Sequence, residues 1–197
     1  MIRAAMGLRC ARFIGAIVVL FLLTSAGHSS EPESRRRGIE GKLAPPWTGI
    51  ASWHQLPAGA KSLDVASLRG KVVYLYFFQS WCPGCHSRGF PTLSEMRSAF
   101  AGRDDVAFVV VQTVFEGFST NSAAKGLETM KKFALDIPMG HDPGPNGSGS
   151  VLMGRYRSGG TPWTVIIDKA GVVRFNGFHI PPARARSTIE GLLKTSL

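Results

Sequence analysis

The chain has 197 residues, 44% of them hydrophobic and 18% charged, with a formal net charge of +10. That balance suits one globular domain with modest extensions and excludes a solenoid, a multi-span membrane protein and a wholly disordered chain. Three cysteines, Cys10, Cys82 and Cys85, are too few for a fold stapled by several bridges or for a four-cysteine zinc site.

The first twelve residues carry Arg3, Arg9 and Arg12 with no acid, and Phe13 to Leu23 is an unbroken run of eleven apolar or glycine residues. This pattern reads as a secretory signal, since a permanent span wants about twenty apolar residues. The small residues Thr24 and Ala26 place cleavage after Ala26. Residues 1–26 are therefore expected to be a signal peptide or, if uncleaved, an N-terminal anchor tethering the chain through residues 13–23. The expected location is periplasmic or otherwise extracytoplasmic. No cysteine follows the apolar run closely enough for a lipid anchor, and Cys10 falls on the cytoplasmic or discarded side.

Loss of three arginines leaves +7. This surplus suits a solvated surface attracted to anionic headgroups or acidic proteins, and nucleic acid is not an expected partner of an exported chain. Residues 27–50, rich in Ser, Glu, Arg, Gly and Pro and including Arg35-Arg36-Arg37, read as a flexible linker, with the folded domain spanning 51–197.

Within that domain Val72 to Phe78 is β-branched and aromatic enough for a buried strand. A helix is expected from Pro83 to Phe100, buried through Leu93, Met96 and Phe100 and bent at Pro91. A second strand follows at Val106 to Val111, then a helix marked by Ala123, Leu127, Met130 and Ala134. Residues 142–150 read as a long surface loop. Trp163 to Ile167 and Val172 to Phe178 flank the turn Asp168-Lys169-Ala170-Gly171 as a hairpin, and Ile189, Leu192, Leu193 and Leu197 stripe a last helix. The order β, α, β, α, β, β, α calls for an α/β sandwich of three layers, a central mixed sheet with helices on both faces.

The chemistry sits in Trp81-Cys82-Pro83-Gly84-Cys85-His86. Two thiols two residues apart can close a small disulfide ring across the first turn of a helix. Cys82 is expected at the exposed N-cap with Pro83 at the first helical position, so its thiolate faces unpaired N–H donors and the positive end of the helix dipole. That makes Cys82 the nucleophile and the deeper Cys85 the resolving thiol.

Over residues 60 to 197 the chain resembles the thioredoxin superfamily, in particular exported TlpA-type thiol-disulfide oxidoreductases. The resemblance rests on Ser67-Leu68-Arg69-Gly70-Lys71, the aromatic strand entering Trp81-Cys82-Pro83-Gly84-Cys85, Pro91, and Gly159-Gly160-Thr161-Pro162 followed by Ile166-Ile167-Asp168. It implies a cis Pro162 facing the cysteines and a Thr161 backbone that receives an extended substrate segment. It further implies substrate contacts at Trp81, Pro83 and Gly84, and no cofactor or metal beyond the redox-active Cys82–Cys85 pair. Disulfides of exported proteins become the expected substrates, with recharging by a membrane thiol donor and service to cytochrome c or copper-site assembly; an oxidase or isomerase is the alternative direction, since Pro83-Gly84 does not set the reduction potential.

The chain also departs from the family pattern. Thioredoxins place a buried acid where Tyr76 stands here, Arg88 and Gly89 stand where relatives carry a glutamate, and the segment from Cys85 to Pro91 is one residue longer. Glu95 is a distant candidate for the proton acceptor of Cys85.

Three other chemistries compete. Cys82-Pro83-Gly84-Cys85-His86 matches the C-x-x-C-H haem attachment motif, although a buried strand leads into it and the Thr-Pro element is then unexplained. A copper site could join Cys82 and Cys85 to His141 or His179. A peroxiredoxin needs Thr or Ser and Pro where Gln79 and Leu75 stand. His86 is read as an exposed helix residue that biases the thiolate, and Trp47 and Trp53 as packing the N-terminal segment onto the body.

Overall fold

The computed structural model describes Met1 and residues 37–195, the latter all within one compact unit. The expected signal or anchor, Cys10, Arg35-Arg36 and Leu197 lie outside the described residues. Among those described, no helix is long and apolar enough to cross a membrane.

Six strands form one mixed sheet: β1 (Ser52–His54), β2 (Val72–Phe78), β3 (Val106–Thr113), β4 (Met139–Asp142), β5 (Trp163–Ile167) and β6 (Val173–Phe178). Their spatial order is β1-β4-β3-β2-β5-β6. The pairs β2–β3 and β3–β4 are parallel, whereas β1–β4, β2–β5 and β5–β6 are antiparallel.

Alternation along β2 explains the two layers of core. Val72, Tyr74, Tyr76 and Phe78 point to one face and pack with helix α1 (Phe90–Ala99), Met130 of α2 (Ala123–Lys132) and Ile189 of α4 (Pro182–Lys194). Val73, Leu75 and Phe77 point to the other, against Leu152 of the short α3 (Val151–Arg155) and the segment before β1. A strand buried on both faces reads as an unbroken apolar run, as here, rather than as an alternating one.

The expected sandwich is present, but the sequence reading needs four corrections. β1 and β4 were not expected, because three or four residues mixing Trp, Gly, His and Asp carry no period of their own. β4 forms because β3 supplies its register, and Trp53 packs so close to Gly140 that a Cβ there would lie 3.2 Å from the indole.

Residues 38–50 are folded onto the body rather than forming the end of a flexible linker. Leu43 bridges Val172, and Trp47, 1% exposed, donates from Nε1 to the Tyr156 hydroxyl at 2.8 Å beside Trp53. The two tryptophans pack this segment onto the body, as expected, but isolated anchors without periodicity do not move a domain boundary read from sequence.

The stretch 142–150 is tied down at its first residue. Asp142 is fully buried, and its carboxylate accepts from Gly144 N, Ser150 Oγ, Val151 N and Leu152 N at 3.3, 2.5, 3.1 and 2.9 Å. It therefore supplies acceptors to the first turn of α3.

The helix expected from Pro83 to Phe100 is interrupted by a π turn at Cys85–Gly89, in which the Phe90 N–H reaches the Cys85 carbonyl. The residue that lengthens this segment is absorbed there, in a turn ending two residues before Pro91, whose missing N–H makes a regular α ladder impossible at that point.

Candidate active site

β2 is one of the two central strands of the sheet and ends at Phe78, delivering the chain to the edge of the sheet where the motif begins. After Gln79, Ser80 and the exposed Trp81, the helix begins. The Cys82 carbonyl accepts from Cys85 N and His86 N at 3.1 and 3.2 Å. The Cys85 N–H is shared with the Cys82 Sγ, also at 3.1 Å. Cys82 thus occupies the N-cap, its sulfur taking the place of a capping oxygen.

Both cysteines are free thiols. Cys82 is less open than its place at a helix start suggests, at 5% exposure against 0% for Cys85, and the Thr161 hydroxyl reaches its sulfur. The Cys85 thiol donates to the Cys82 sulfur and is the largest influence lowering the Cys82 pKa to about 6. The Thr161 hydroxyl and the N–H groups of Cys85 and Gly84 add to this against the opposing effect of burial. Burial pushes the Cys85 thiol far in the other direction, and the neighbouring Cys82 adds to it. One sulfur is therefore ionised near neutrality while the other keeps its proton.

The Thr161-Pro162 bond is cis. A Cβ on Gly84 would sit 3.2 Å from Pro162 Cδ, so the absence of a side chain at Gly84 lets the two loops touch. Thr161, expected to act through its backbone, also reaches Cys82 with its hydroxyl. Trp81 is 47% exposed and borders the Gly117 loop, while Phe178 is 50% exposed beside Gly160. Together with the outward-facing Pro83, these residues give the cysteines an apolar rim.

A polar network that the sequence reading missed supports the turn before Cys82. Gln112 Nε2 donates to Ser80 Oγ at 2.7 Å and accepts at Oε1 from His141 Nδ1 at 2.8 Å. Asn121 accepts from Ser80 N at 2.8 Å and donates to Gln79 Oε1 at 3.0 Å. Gln79, Gln112 and Asn121 are buried. A glutamine directly after Val109-Val110-Val111, at the same end of the sheet as the cysteines, was the available clue.

Two expectations need correcting. His86 is half-buried rather than exposed, with Nε2 on the Ser80 carbonyl at 2.7 Å and its ring near Phe90 and Phe133. Glu95 lies on the exposed side of α1, 3.8 Å from Arg186, and has no place beside Cys85.

The copper alternative gains no support from the geometry. His141 is engaged by Gln112, and among the described residues no group of three or more His, Cys, Asp or Glu side chains is placed to hold a metal ion. The haem alternative needs His86 as an iron ligand, and its Nε2 is occupied by the Ser80 carbonyl.

Comparison with known proteins agrees with this geometry. The redoxin family profile matches residues 40–193. Thiol-disulfide oxidoreductase ResA of Bacillus cereus (strain ZK / E33L) is 26% identical over 113 residues, 57% of this chain and 58% of the relative. The protein of the same name from Bacillus thuringiensis (strain Al Hakam) is 25% identical over 134 residues, 68% of each. The chain therefore spans between half and about two thirds of the length of these relatives. The crystal structure of a thioredoxin-like superfamily protein superposes with a TM-score of 0.70 at 33% identity, covering 78% of this chain and 97% of that one.

Proposed function

The chain belongs to the redoxin family, and from that membership we propose that it is a thiol-disulfide oxidoreductase. It reduces disulfides of exported proteins, with Cys82 as nucleophile and Cys85 as resolving thiol. The observation that carries this reading is the asymmetry of the pair: Cys82 is held at about 6 by donors from Cys85, Thr161 and the helix start, and Cys85 is pushed up by burial.

The Cys82 thiolate attacks one sulfur of the substrate disulfide, that S–S bond breaks, and the departing substrate sulfur leaves as a thiolate that takes a proton from solvent. Cys85 then gives up its proton, its sulfur attacks Cys82 Sγ, and the second substrate sulfur departs. Two electrons have passed to the substrate and a Cys82–Cys85 disulfide remains. A membrane thiol donor recharges the pair in an oxidising compartment. An extended substrate segment lies along Thr161 and Pro162, between Trp81 and Phe178, whose exposed rings suit apolar side chains flanking a disulfide. The relatives' printed names and the apolar run at residues 13–23 support an exported oxidoreductase.

Cys85→Ser tests the division of roles. In cells it should accumulate mixed disulfides through Cys82 with exported proteins, released by reductant and visible on non-reducing gels. Cys82→Ser should trap almost none. Equal trapping by the two variants contradicts the assignment.

A further inference from the structure

Beneath the cysteines, β2 carries a group to which the chemistry above assigns no task. Tyr76 is fully buried, stacked on Phe78 and edge-on to Phe90 with ring centroids 6.4 and 5.2 Å apart. Its hydroxyl completes no well-formed hydrogen bond in the dithiol form, and the polar group it faces is the Cys85 thiol. The group is nonetheless fixed in place. A Cβ at Gly89 would overlap the hydroxyl and lie 2.6 Å from Cζ, so the π turn Cys85–Gly89 leaves a notch that glycine keeps open for the phenol.

On its other side the hydroxyl borders Cys85. Burial raises Tyr76 well above the ordinary phenol range, with Cys85 next in influence and Tyr74 and Cys82 adding to it. In return the Tyr76 hydroxyl favours the ionised form of Cys85, against the burial and the Cys82 charge that oppose it. His86, on the π turn, has Nε2 turned to the Ser80 carbonyl.

The idle hydroxyl is explained by the state in which it is idle. With Cys82 ionised, the Cys85 S–H is directed to the Cys82 sulfur, and a neutral thiol is a weak acceptor for a phenol. Once Cys82 is bonded to substrate, negative charge must appear on Cys85, inside the core. A donor already fixed where that charge develops needs no reorganisation. We propose that the Tyr76 hydroxyl is the hydrogen-bond donor to the Cys85 thiolate during resolution of the mixed disulfide, with Gly89 keeping it in place. The phenol keeps its own proton; the Cys85 proton leaves to solvent, and the Cys85 sulfur displaces the substrate thiolate from Cys82. The inference rests on the proposed roles of the two cysteines.

The test uses reduced protein and an aromatic disulfide reagent whose thiolate product is coloured. Attack by Cys82 releases a first equivalent of colour, and attack by Cys85 on the resulting mixed disulfide releases a second. Absence of the second phase in the unaltered protein counts against the cysteine roles, not against Tyr76. Tyr76→Phe removes a buried hydroxyl that faces only a neutral thiol, a weak acceptor, so its Tm should not fall. Its second phase should be about tenfold slower at neutral pH, with the midpoint of the pH profile moved up by about one pH unit, because the thiolate fraction falls tenfold per unit below the pKa. The first phase should be unchanged. Replacing all three tyrosines by ring-fluorinated tyrosine, a stronger donor of nearly the same shape, should move that midpoint down. An unaltered second-phase pH profile in either protein overturns the proposal.

Discussion

Replacing Cys82 by serine should lower the rate of disulfide reduction by about a thousandfold or more, as expected when the attacking atom itself is removed from a set of groups that act as a unit. The serine hydroxyl can still accept the N–H of Cys85 at the helix start, now 3.1 Å from the sulfur, so the fold should be kept. What is lost is chemical. A hydroxyl beside the same donors keeps its proton at neutral pH, and an oxygen cannot form the mixed disulfide through which the electrons pass. Turnover of a coloured disulfide, with circular dichroism to show that the domain remains folded, measures the effect. A folded variant keeping more than about a tenth of the activity would remove Cys82 from the mechanism, since losing a transition-state interaction of one pKa unit's worth already costs that much.

A large effect on stability is expected of Asp142→Ala, far along the chain from the motif. The side chain is fully buried and its carboxylate answers four donors, two of them at the start of α3. Alanine leaves those donors without an acceptor. An orphaned buried donor costs about 1–3 kcal/mol, and some of the four will find water, so the expected loss is about 3 kcal/mol. For a domain of this size that lowers Tm by about 10 °C. Asp142→Asn keeps one acceptor oxygen and should cost roughly half as much. If the alanine variant melts within about 2 °C of the parent, less than one kcal/mol for a domain of this size, the carboxylate is not what holds residues 142–152 in place.

These two residues differ in how visible they were. Cys82 was legible because everything that defines it is local: an apolar strand from Val72 to Phe78, a proline directly after the cysteine, and a second thiol one turn on. Thr161-Pro162 was legible only through its family resemblance, since nothing in its neighbourhood announces a contact with a residue about eighty positions earlier. Asp142 was read as the start of a surface loop because Asp-Pro-Gly is turn chemistry wherever it occurs. Its burial depends on β3 carrying β4 into the sheet and on α3 returning over it, and both facts are tertiary. The same applies to Gln112 and Asn121, which become supports of the Ser80 turn only once β3 and the start of α2 are brought beside the end of β2. The extra residue between Cys85 and Pro91 was visible as a count. Its form, a π turn with Gly89 against Tyr76, depended on the phenol below it.

The division of labour between the two sulfurs is tested most directly by alkylating the reduced protein with iodoacetamide across pH and locating the adduct by mass spectrometry. Only a thiolate reacts, so a lowered pKa extends reactivity to lower pH, and the rate should climb through the folded-state pKa and then level off. With Cys82 held at about 6, the rate should reach half its plateau near that pH, well below an ordinary thiol at about 8.5. The adduct should be on Cys82, with Cys85 unmodified while the protein stays folded. Labelling of Cys85 first, or a midpoint at the ordinary thiol value, would contradict the account.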